Sequence, residues 1–451
     1  MWKGFAMAEE YWNASLETLP WAEVENWQAG RIAAMLSGLP ARSSLYGRLL
    51  GHQELSLTGF ADLARLPFTM KDDVRWAQDQ ADDLRPFGAN QGAPLADIVQ
   101  AVSSSGTTGK PMYYALTGAD LEVWTDAIAN AFFTAGVRKT DVIAHLVGLP
   151  MVAGGMPYAD GFRRIGATLC WLGGFPTERI LREMRRLRAS ALLATTSFGL
   201  HLTETWDAIG RETGVASSLR TVCLGGEPGL NEASIRERIT DGLGITRLSE
   251  VMGLGDVVSC LWGECAAGNG MHFNAQKYVA IELIDPETGA ILPWREGATG
   301  EIVYTTFERE ATPLVRYRSR DHALVTATSC SCGRTSPRIR CIGRTDDMLI
   351  YKAMNVFPTA IRDLILQRFA GKVSPMLRIW KDRADQVRFD EAIPVDVEAT
   401  AEVAPSAYPA LAEEIGQFIR SQLQVRIAVN LLAPGSVPRG VYKTPLVVVR
   451  G

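Results

Sequence analysis

This sequence lacks long apolar runs, a large excess of one charge and a paired cysteine framework. The most apolar stretch, residues 142–158, is interrupted by His145, Pro150 and Pro157, so it predicts a buried strand and loop and not a membrane span. The net charge is only −4, with acids and bases mixed, which argues against nucleic-acid or membrane partners. The seven cysteines lack the spacing of a disulfide scaffold, and the N-terminus lacks a signal-peptide pattern. Together these absences predict a reduced, cytoplasmic protein.

The composition and the spacing of apolar residues predict a two-part α/β protein. Among 451 residues, 47% are hydrophobic and 21% are charged, which is typical of a folded chain with a large core. Apolar strands alternate with amphipathic helices from about residue 100 to 230, which predicts doubly wound sheets, and an alternating β region covers 278–326. We expect a large domain over 1–343 and a small α+β domain over 344–451.

One amphipathic helix is predicted to follow Thr177, a candidate N-cap, with an apolar stripe on one face and arginines on the other. The stripe consists of Ile180, Leu181, Met184 and Leu187. The arginines predicted to face water are Arg182, Arg185, Arg186 and Arg188.

The most informative segment is a nine-residue loop rich in hydroxyl groups and glycine. Such a loop can bring backbone N–H groups, hydroxyls and a cation to one anion, so it predicts a phosphate site. Its spacing differs from that of a Walker A loop. A flexible linker is the alternative interpretation, although the closing lysine and proline argue against it. The loop consists of Ser103, Ser104, Ser105, Gly106, Thr107, Thr108, Gly109, Lys110 and Pro111.

This loop and five later segments together resemble the adenylate-forming ligase superfamily, and within it the phenylacetate–CoA ligases. The six segments occur in the family's order over nearly the whole chain, which makes the resemblance specific. The later segments are Gly225–Pro228, Leu248–Glu250, Glu301–Phe307, Pro313–Asp321 and Gly343–Pro358.

The resemblance implies a reaction in which ATP adenylates a carboxylic acid and the acyl group then passes to coenzyme A. The developing charge on phosphate needs donors, a cation and a divalent metal, so ATP, Mg²⁺ and CoA are the expected cofactors. It assigns Glu250 to Mg²⁺, and Asp321 to the ribose hydroxyls. A solvated acid and an ordinary Asp–Arg ion pair are the structural alternatives. Further nucleotide contacts are expected from Gly226, Glu227, Pro228, Ser249 and Arg344.

The resemblance also implies a mobile C-terminal domain that carries a catalytic lysine. Arg344 begins the hinge, and Asp346 matches the hinge position about which the family's small domain rotates. Lys443 matches the adenylating lysine, which would bridge the carboxylate and the α-phosphate. A solvated loop lysine is the alternative for Lys443.

The acid is expected to lie in a compact, mostly apolar pocket. By resemblance this pocket is built from residues 147–157, Ser197, Phe198 and the segment 225–228, with Met151 and Gly225 among its walls. Its size favours an aryl or arylacetic acid over a fatty acid. Each of these side chains could equally belong to the core.

A second constellation has the spacing of a zinc site. Cys265 and His272 are followed by Cys330 and Cys332, and two thiolates, a third cysteine and a histidine complete a tetrahedral Zn²⁺ shell. Some phenylacetate–CoA-ligase-like proteins carry such a structural site, and the Cys-x-Cys-Gly-Arg loop matches theirs. Glu264 or Cys260 could replace Cys265, and free thiols beside a surface histidine are the alternative.

Departures from the family pattern keep other functions open. Thr246 and Arg247 stand where the family has Tyr-Gly, Lys352 and Ala353 where it has Arg-Gly, and Tyr442 where it has glycine. The changes at Lys352, Ala353 and Tyr442 favour one alternative, an adenylating ligase that passes the acyl group to an amine or carrier protein. A second alternative, of a different class, is a zinc-stabilised, non-catalytic binding protein of the same fold. A homodimer also stays open.

Overall fold

The structure is a computed structural model. It describes residues 10–51, 57–103, 111–147, 151–213, 217–227, 229–352, 354–383, 386–438 and 444–450. The remaining residues include most of the phosphate loop, 104–110, together with Pro228 and Lys443, so the predictions for these positions lie outside the described residues.

Helices and strands alternate from about residue 113 to 254, whereas the described residues of 247–356 form strands and one short 3₁₀ turn but no α-helix. The helices are α1 (Ala14–Glu17), α2 (Trp21–Arg42), α3 (Ser44–Leu50), α4 (Lys71–Asp79), α5 (Gly118–Thr134), α6 (Met156–Ile165), α7 (Thr177–Arg186), α8 (Thr196–Thr213), α9 (Ala233–Leu243), α10 (Pro358–Arg368) and α11 (Tyr408–Leu423). The strands are β1 (Ile98–Ser103), β2 (Tyr113–Thr117), β3 (Val142–His145), β4 (Thr168–Trp171), β5 (Ala191–Thr195), β6 (Thr221–Gly225), β7 (Arg247–Leu254), β8 (Val258–Glu264), β9 (Met271–Phe273), β10 (Val279–Ile284), β11 (Ile291–Leu292), β12 (Thr299–Thr306), β13 (Tyr317–Ala327), β14 (Arg338–Arg344), β15 (Leu349–Tyr351), β16 (Met354–Val356), β17 (Val373–Lys381), β18 (Arg388–Phe389), β19 (Ile393–Ala399), β20 (Ile427–Leu432) and β21 (Val447–Val449).

One mixed sheet organises the larger, N-terminal part. Its strand order is β11-β10-β12-β13-β14-β9-β8-β7-β6-β5-β3-β4. Strands β4, β3, β5, β6 and β7 are parallel, and every pairing from β7 to β11 is antiparallel. The carboxyl ends of the parallel strands therefore meet at one edge, where ligands bind in open α/β sheets.

Helices cover both faces of the parallel half of the sheet. Helices α5 and α6 pack on one face around Phe132 and Phe162, and α7, α8 and α9 pack on the other face around Leu181 and Ile239. The fold class, an α/β protein with a sheet-rich N-terminal region and a small α+β C-terminal region, is confirmed. The predicted β region continues the same sheet as the parallel strands.

The small C-terminal region is built as its apolar pattern predicts. Strand order β20-β19-β17-β21 forms a four-stranded sheet that packs against α10 and α11. Pro358 occupies the first turn of α10, where a missing N–H leaves no bond unmade. Thr359 donates its hydroxyl to Ile342 O (2.7 Å), at the end of the large sheet. A domain boundary at residue 344 stays a prediction.

Helix α7 confirms its predicted stripe only in part. Ile180, Leu181 and Met184 are buried, but Leu187 lies past the helix end and is 44% exposed. The prediction that Arg185 faces water is wrong, because its guanidinium packs over the Trp206 ring (4.3 Å) and donates to Trp206 O (2.7 Å). Among the described residues, no helix is both long and apolar enough to cross a membrane.

Candidate active site

The two ends of the phosphate loop are fixed by a hairpin and by one neighbouring carbonyl. Ser103, the last residue of β1, pairs with Tyr113 at the start of β2. The Ser103 amide donates to Met151 O (2.7 Å), and its hydroxyl lies 3.3 Å from the same oxygen. The described residues on either side of 104–110 are therefore paired with each other, and Ser103 lies beside the segment that follows β3.

Glu250 is a buried acid on β7, at the edge where the parallel strands end. Its amide donates to Glu264 Oε2 (3.0 Å), an oxygen that also pairs with Arg236 (2.7 Å). Burial first, and the Glu264 charge second, raise the pKa of Glu250 to about 7. A bound divalent cation would stabilise the ionised carboxylate, so this environment fits a metal ligand.

Ser249 points to the opposite face of the sheet, because side chains alternate along a strand. Its hydroxyl donates to Ala135 O (2.9 Å), just past the end of α5. The neighbouring Arg247 donates to Thr134 O (2.7 Å) at the same helix end. Both side chains therefore lie away from Glu250, and Arg247 binds the carbonyl end of a helix, where cations are favoured.

Asp321 and Arg344 meet across the antiparallel pairing of β13 and β14. They are direct register partners, and Arg344 Nη1 lies 2.5 Å from Asp321 Oδ1. The Asp321 amide donates to Ser319 Oγ (3.0 Å), and Arg344 also donates to Ser319 O (3.2 Å). The carboxylate predicted to bind ribose is thus buried and fixed by a guanidinium.

Asp346 lies in a short 3₁₀ turn, Thr345–Asp347, directly after β14. The hinge position therefore immediately follows the strand that carries Arg344. The side chain of Asp346 lies outside the described part of the chain.

Gly225 and Gly226 let the chain turn sharply after β6. A Cβ at Gly225 would lie 2.1 Å from Val251 O, and Gly226 has φ +79°, so both positions need glycine. Glu227 follows and spans two elements. One carboxylate oxygen accepts from Ser197 N (2.5 Å) in the first turn of α8, and the other lies 3.4 Å from Thr444 N, next to Lys443 in the chain.

A cavity of about 380 Å³ opens at the carboxyl ends of β3 and β5. Its walls include the predicted pocket residues Val147, Ser197 and Phe198. The sequence analysis did not predict several others, among them Phe175, Met376 and Thr444. Phe175 sits in a Gly-Gly-Phe-Pro turn before α7, a signal that was available in the sequence. Met376 and Thr444 reach the cavity from the C-terminal region.

Two predicted pocket residues do not line this cavity. Met151 has φ +61° and a side chain that is 51% exposed, and it supplies only its carbonyl, to Ser103. Gly225 lies against Val251 instead.

Cys265, His272, Cys330 and Cys332 converge, with all four ligand atoms within 4.8 Å of one another. The Cys265 and Cys330 sulfurs are 3.6 Å apart, and Cys332 Sγ lies 3.4 Å from His272 Nε2. Tetrahedral zinc bonded to sulfur and nitrogen at the usual lengths requires separations of about 3.8 and 3.5 Å. The cluster therefore fits zinc, and among the alternatives Cys265 is the residue that joins it.

The other nitrogen of His272 is positioned by the loop that carries Cys330 and Cys332. Nδ1 lies 3.2 Å from Ser336 O, so an Nδ1–H would leave Nε2 free to face the cluster. This is the usual outer contact of a metal-binding histidine.

Comparisons with known proteins decide the family. A phenylacetate–coenzyme A ligase of Thermus thermophilus is 32% identical over 445 residues, which cover 94% of this chain and 96% of the relative. The chain belongs to the phenylacetate–CoA ligase family. A family model described as the AMP-binding enzyme C-terminal domain also matches residues 353–449. As a phenylacetate–CoA ligase family member, the protein is an AMP-forming acid–CoA ligase that uses ATP and CoA.

Solved structures of 2-hydroxyisobutyryl-CoA ligase share the fold of this ligase. In two of these structures the sequence identity is 25%, and the alignment covers 99% of this chain and 94% of the 2-hydroxyisobutyryl-CoA ligase chain. The TM-score is 0.86 for the postadenylation state with 2-HIB-AMP and 0.69 for the thioesterification state with 2-HIB-AMP and CoA. The ligase described here therefore has an arrangement closer to the postadenylation state.

Proposed function

We propose that the ligase activates an aryl or arylacetic acid as an acyl-adenylate and transfers it to CoA. The observation that carries this proposal is the cavity beside Glu227 and Thr444. Its volume of about 380 Å³ lies within the range of small-molecule sites, and the rings of Phe175 and Phe198 contribute to its walls. An aromatic acid would bury its ring against them, with its carboxylate toward the chain that carries Lys443.

The remaining roles follow from the chemistry of each group. Lys443 is proposed to bridge the carboxylate and the α-phosphate, and Glu250 to bind Mg²⁺. Asp321, held by Arg344, is proposed to accept hydrogen bonds from the ribose hydroxyls. The loop 103–110 is proposed to hold the β- and γ-phosphates. Support comes from the burial of Glu250 and Asp321 and from the anchored loop ends.

A panel of acids tests the substrate class. Benzoic, phenylacetic and hydroxyphenylacetic acids should exceed 2-hydroxyisobutyrate and hexanoate in pyrophosphate exchange and in CoA-thioester formation. Removing the Phe198 ring in Phe198→Ala should raise KM for the aryl acid about tenfold, because an aromatic contact area is lost. Met151→Ala is the matched control, because that side chain lies outside the cavity and should leave KM unchanged.

Preference for the short aliphatic acids would contradict the aryl proposal. Hydroxylamine-trapped acyl-adenylate without any CoA thioester would instead favour an amine or carrier-protein acceptor. Family membership gives the non-catalytic alternative no support.

We further propose that Cys265, His272, Cys330 and Cys332 hold one structural Zn²⁺. The ligand set is closed, with four protein ligands and no position for a substrate, as in structural sites. When bound, zinc would link β8, β9 and the loop before β14, beside the strand that carries Arg344.

A further inference from the structure

A carboxylate in the turn between β7 and β8 joins two buried tyrosines that are distant in sequence. Asp256 Oδ1 accepts a short hydrogen bond from Tyr114, and Oδ2 lies 3.3 Å from the Tyr317 hydroxyl. Both tyrosines are at most 2% exposed. The shared acceptor thus fixes two rings against one turn.

These two tyrosines lie on strands that adjoin or carry the proposed nucleotide contacts. Tyr114 lies on β2, which leaves the phosphate loop, and Tyr317 opens β13, which carries Asp321 four residues later. The turn itself directly follows β7, the strand of Glu250. Asp256 therefore connects elements that carry or adjoin three of the proposed ATP contacts, namely the phosphate loop, Asp321 and Glu250, and it is not itself one of those contacts.

A buried cation holds the backbone of the same turn. Arg309 is 4% exposed, and its Nη1 donates to Asp256 O (2.6 Å) and to Val257 O (3.2 Å). Its guanidinium lies over the rings of Tyr114 (5.6 Å) and Trp124 (5.4 Å). Its Nε and Nη2 have no hydrogen-bond partner among the described residues.

The residues after Arg309 are fixed to the start of α5. The amides of Glu310 and Ala311 donate to Asp120 (2.7 and 2.9 Å), and Thr117 donates to Glu310 (2.8 Å). The turn, the phosphate-loop hairpin and the chain entering β13 are therefore connected by directed polar contacts.

Stability alone is a weak reason for such a cluster. Buried charges lose their hydration, and apolar side chains of similar shape commonly stabilise a fold as well or better. Directed hydrogen bonds, in contrast, fix distances and orientations between elements, which is what a preorganised ATP site needs.

We propose that Asp256 is a positioning residue that fixes the phosphate loop relative to the ribose-binding strand through Tyr114 and Tyr317. This inference rests on the proposed roles of the loop and of Asp321. Asp256 itself contacts neither ATP nor the acid in this proposal. Its loss should therefore weaken the binding of ATP and leave the binding of the acid unchanged.

A double-mutant cycle on the full-length ligase tests it. Tyr114→Phe and Tyr317→Phe should each raise KM for ATP about tenfold, as expected for a hydrogen bond to a charged group, with KM for the acid unchanged. In the double variant, KM for ATP should rise by less than the product of the two single effects, because both hydroxyls act through one carboxylate. In an Asp256→Ala background, neither tyrosine change should add a further effect.

Tyr304→Phe is the matched control. Tyr304 is as deeply buried and lies on β12, the strand beside Tyr317, but its hydroxyl accepts from Trp262 Nε1 (3.0 Å) and does not contact Asp256. It should leave KM for ATP unchanged. If Asp256→Ala does not fold, Asp256→Asn, which keeps one acceptor oxygen, serves in its place and should retain the effect of one tyrosine only.

The proposal would be overturned if the two tyrosine changes raised KM for ATP independently, so that their effects multiplied fully in the double variant. It would also be overturned if KM for ATP and KM for the acid rose equally. The variant Asp321→Asn separates this failure from failure of the proposed nucleotide site. If Asp321→Asn raises KM for ATP and the tyrosine variants do not, only the Asp256 proposal fails. If Asp321→Asn also has no effect, the nucleotide site itself is misassigned.

Discussion

At the scale of single residues, side chains that alternate along a strand place sequence neighbours on opposite faces of the sheet. Glu250 and Ser249 are adjacent in sequence, yet one lies with Glu264 and Arg236 and the other against the end of α5. The same register logic brings Asp321 and Arg344 together across two strands. Position in a strand therefore decides which member of a motif can reach the ligand.

Asp321→Asn should raise KM for ATP about tenfold or more, because a charged acceptor for the ribose hydroxyls is lost. The kcat at saturating ATP should change less. Steady-state kinetics with varied ATP measures both. Asp285→Asn, the same change in an exposed turn, is the control and should behave as the unaltered protein. An unchanged KM for ATP in Asp321→Asn would rule out the ribose contact.

Residue-level prediction succeeded where side-chain chemistry restricts the choice. Cysteines and a histidine with metal-like spacing predicted a cluster that the structure brings together. The Asp256 contacts could not be predicted, because Tyr114 and Asp256 are 142 positions apart and a tyrosine–carboxylate pair has no sequence motif. Only the folded chain brings them into reach.

At the scale of elements, regular patterns were predicted well and their ends less well. The β region predicted over 278–326 contains β10, β11 and β12 and all but the last residue of β13. In α7, however, Arg185 follows Leu181 by four positions and so shares its buried face, where its guanidinium packs over the Trp206 ring. Charge alone was therefore a poor guide to exposure for an arginine, whose stem and planar head both pack.

The loop between β13 and β14 holds the N-terminal segment as well as two cysteines. Tyr11 donates to Cys332 O (3.0 Å), the Thr335 amide donates to Glu17 O (3.0 Å), and Arg334 pairs with Glu17 (2.7 Å). A metal that orders this loop would therefore also order residues 10–19.

The double variant Cys330→Ser/Cys332→Ser should lose bound zinc, melt at a lower temperature and be cut faster by protease near residues 10–19. Elemental analysis should find about one zinc per chain in the unaltered protein. Cys170→Ser, a half-buried cysteine outside the cluster, is the control and should keep the metal. A folded, metal-free unaltered protein would end the zinc proposal.

At the scale of the whole molecule, Glu227 connects the large sheet to the chain beside Lys443. Its second oxygen lies 3.4 Å from Thr444 N, and Thr444 and Met376 close the cavity. The resemblance to the postadenylation state of 2-hydroxyisobutyryl-CoA ligase fits an arrangement in which this contact is made. A rotation of the C-terminal region would break it.

Glu227→Gln should slow the adenylation half-reaction about three- to tenfold and leave thioester formation from supplied acyl-adenylate unchanged. One glutamine oxygen can still accept from Ser197, but its amide group would face the Thr444 N–H as a second donor. Pyrophosphate exchange and single-turnover thioester formation measure the two steps. Lys443→Ala should show the same split more strongly, and Glu413→Gln, a change on the exposed face of α11, should show none. Equal losses in both steps would contradict the role of the contact.

Continuous strand pairing from β4 to β11 joins the cavity proposed for the acid to the strand proposed to bind the ribose. The cavity walls come mainly from the residues that follow β3, β4 and β5, including the first turns of α7 and α8, whereas Asp321 and Arg344 belong to the antiparallel half. We therefore expect that acid specificity can be changed by exchange of those segments while the proposed nucleotide contacts stay intact. Chimeras between relatives with different acids should be built with their junctions inside the parallel half.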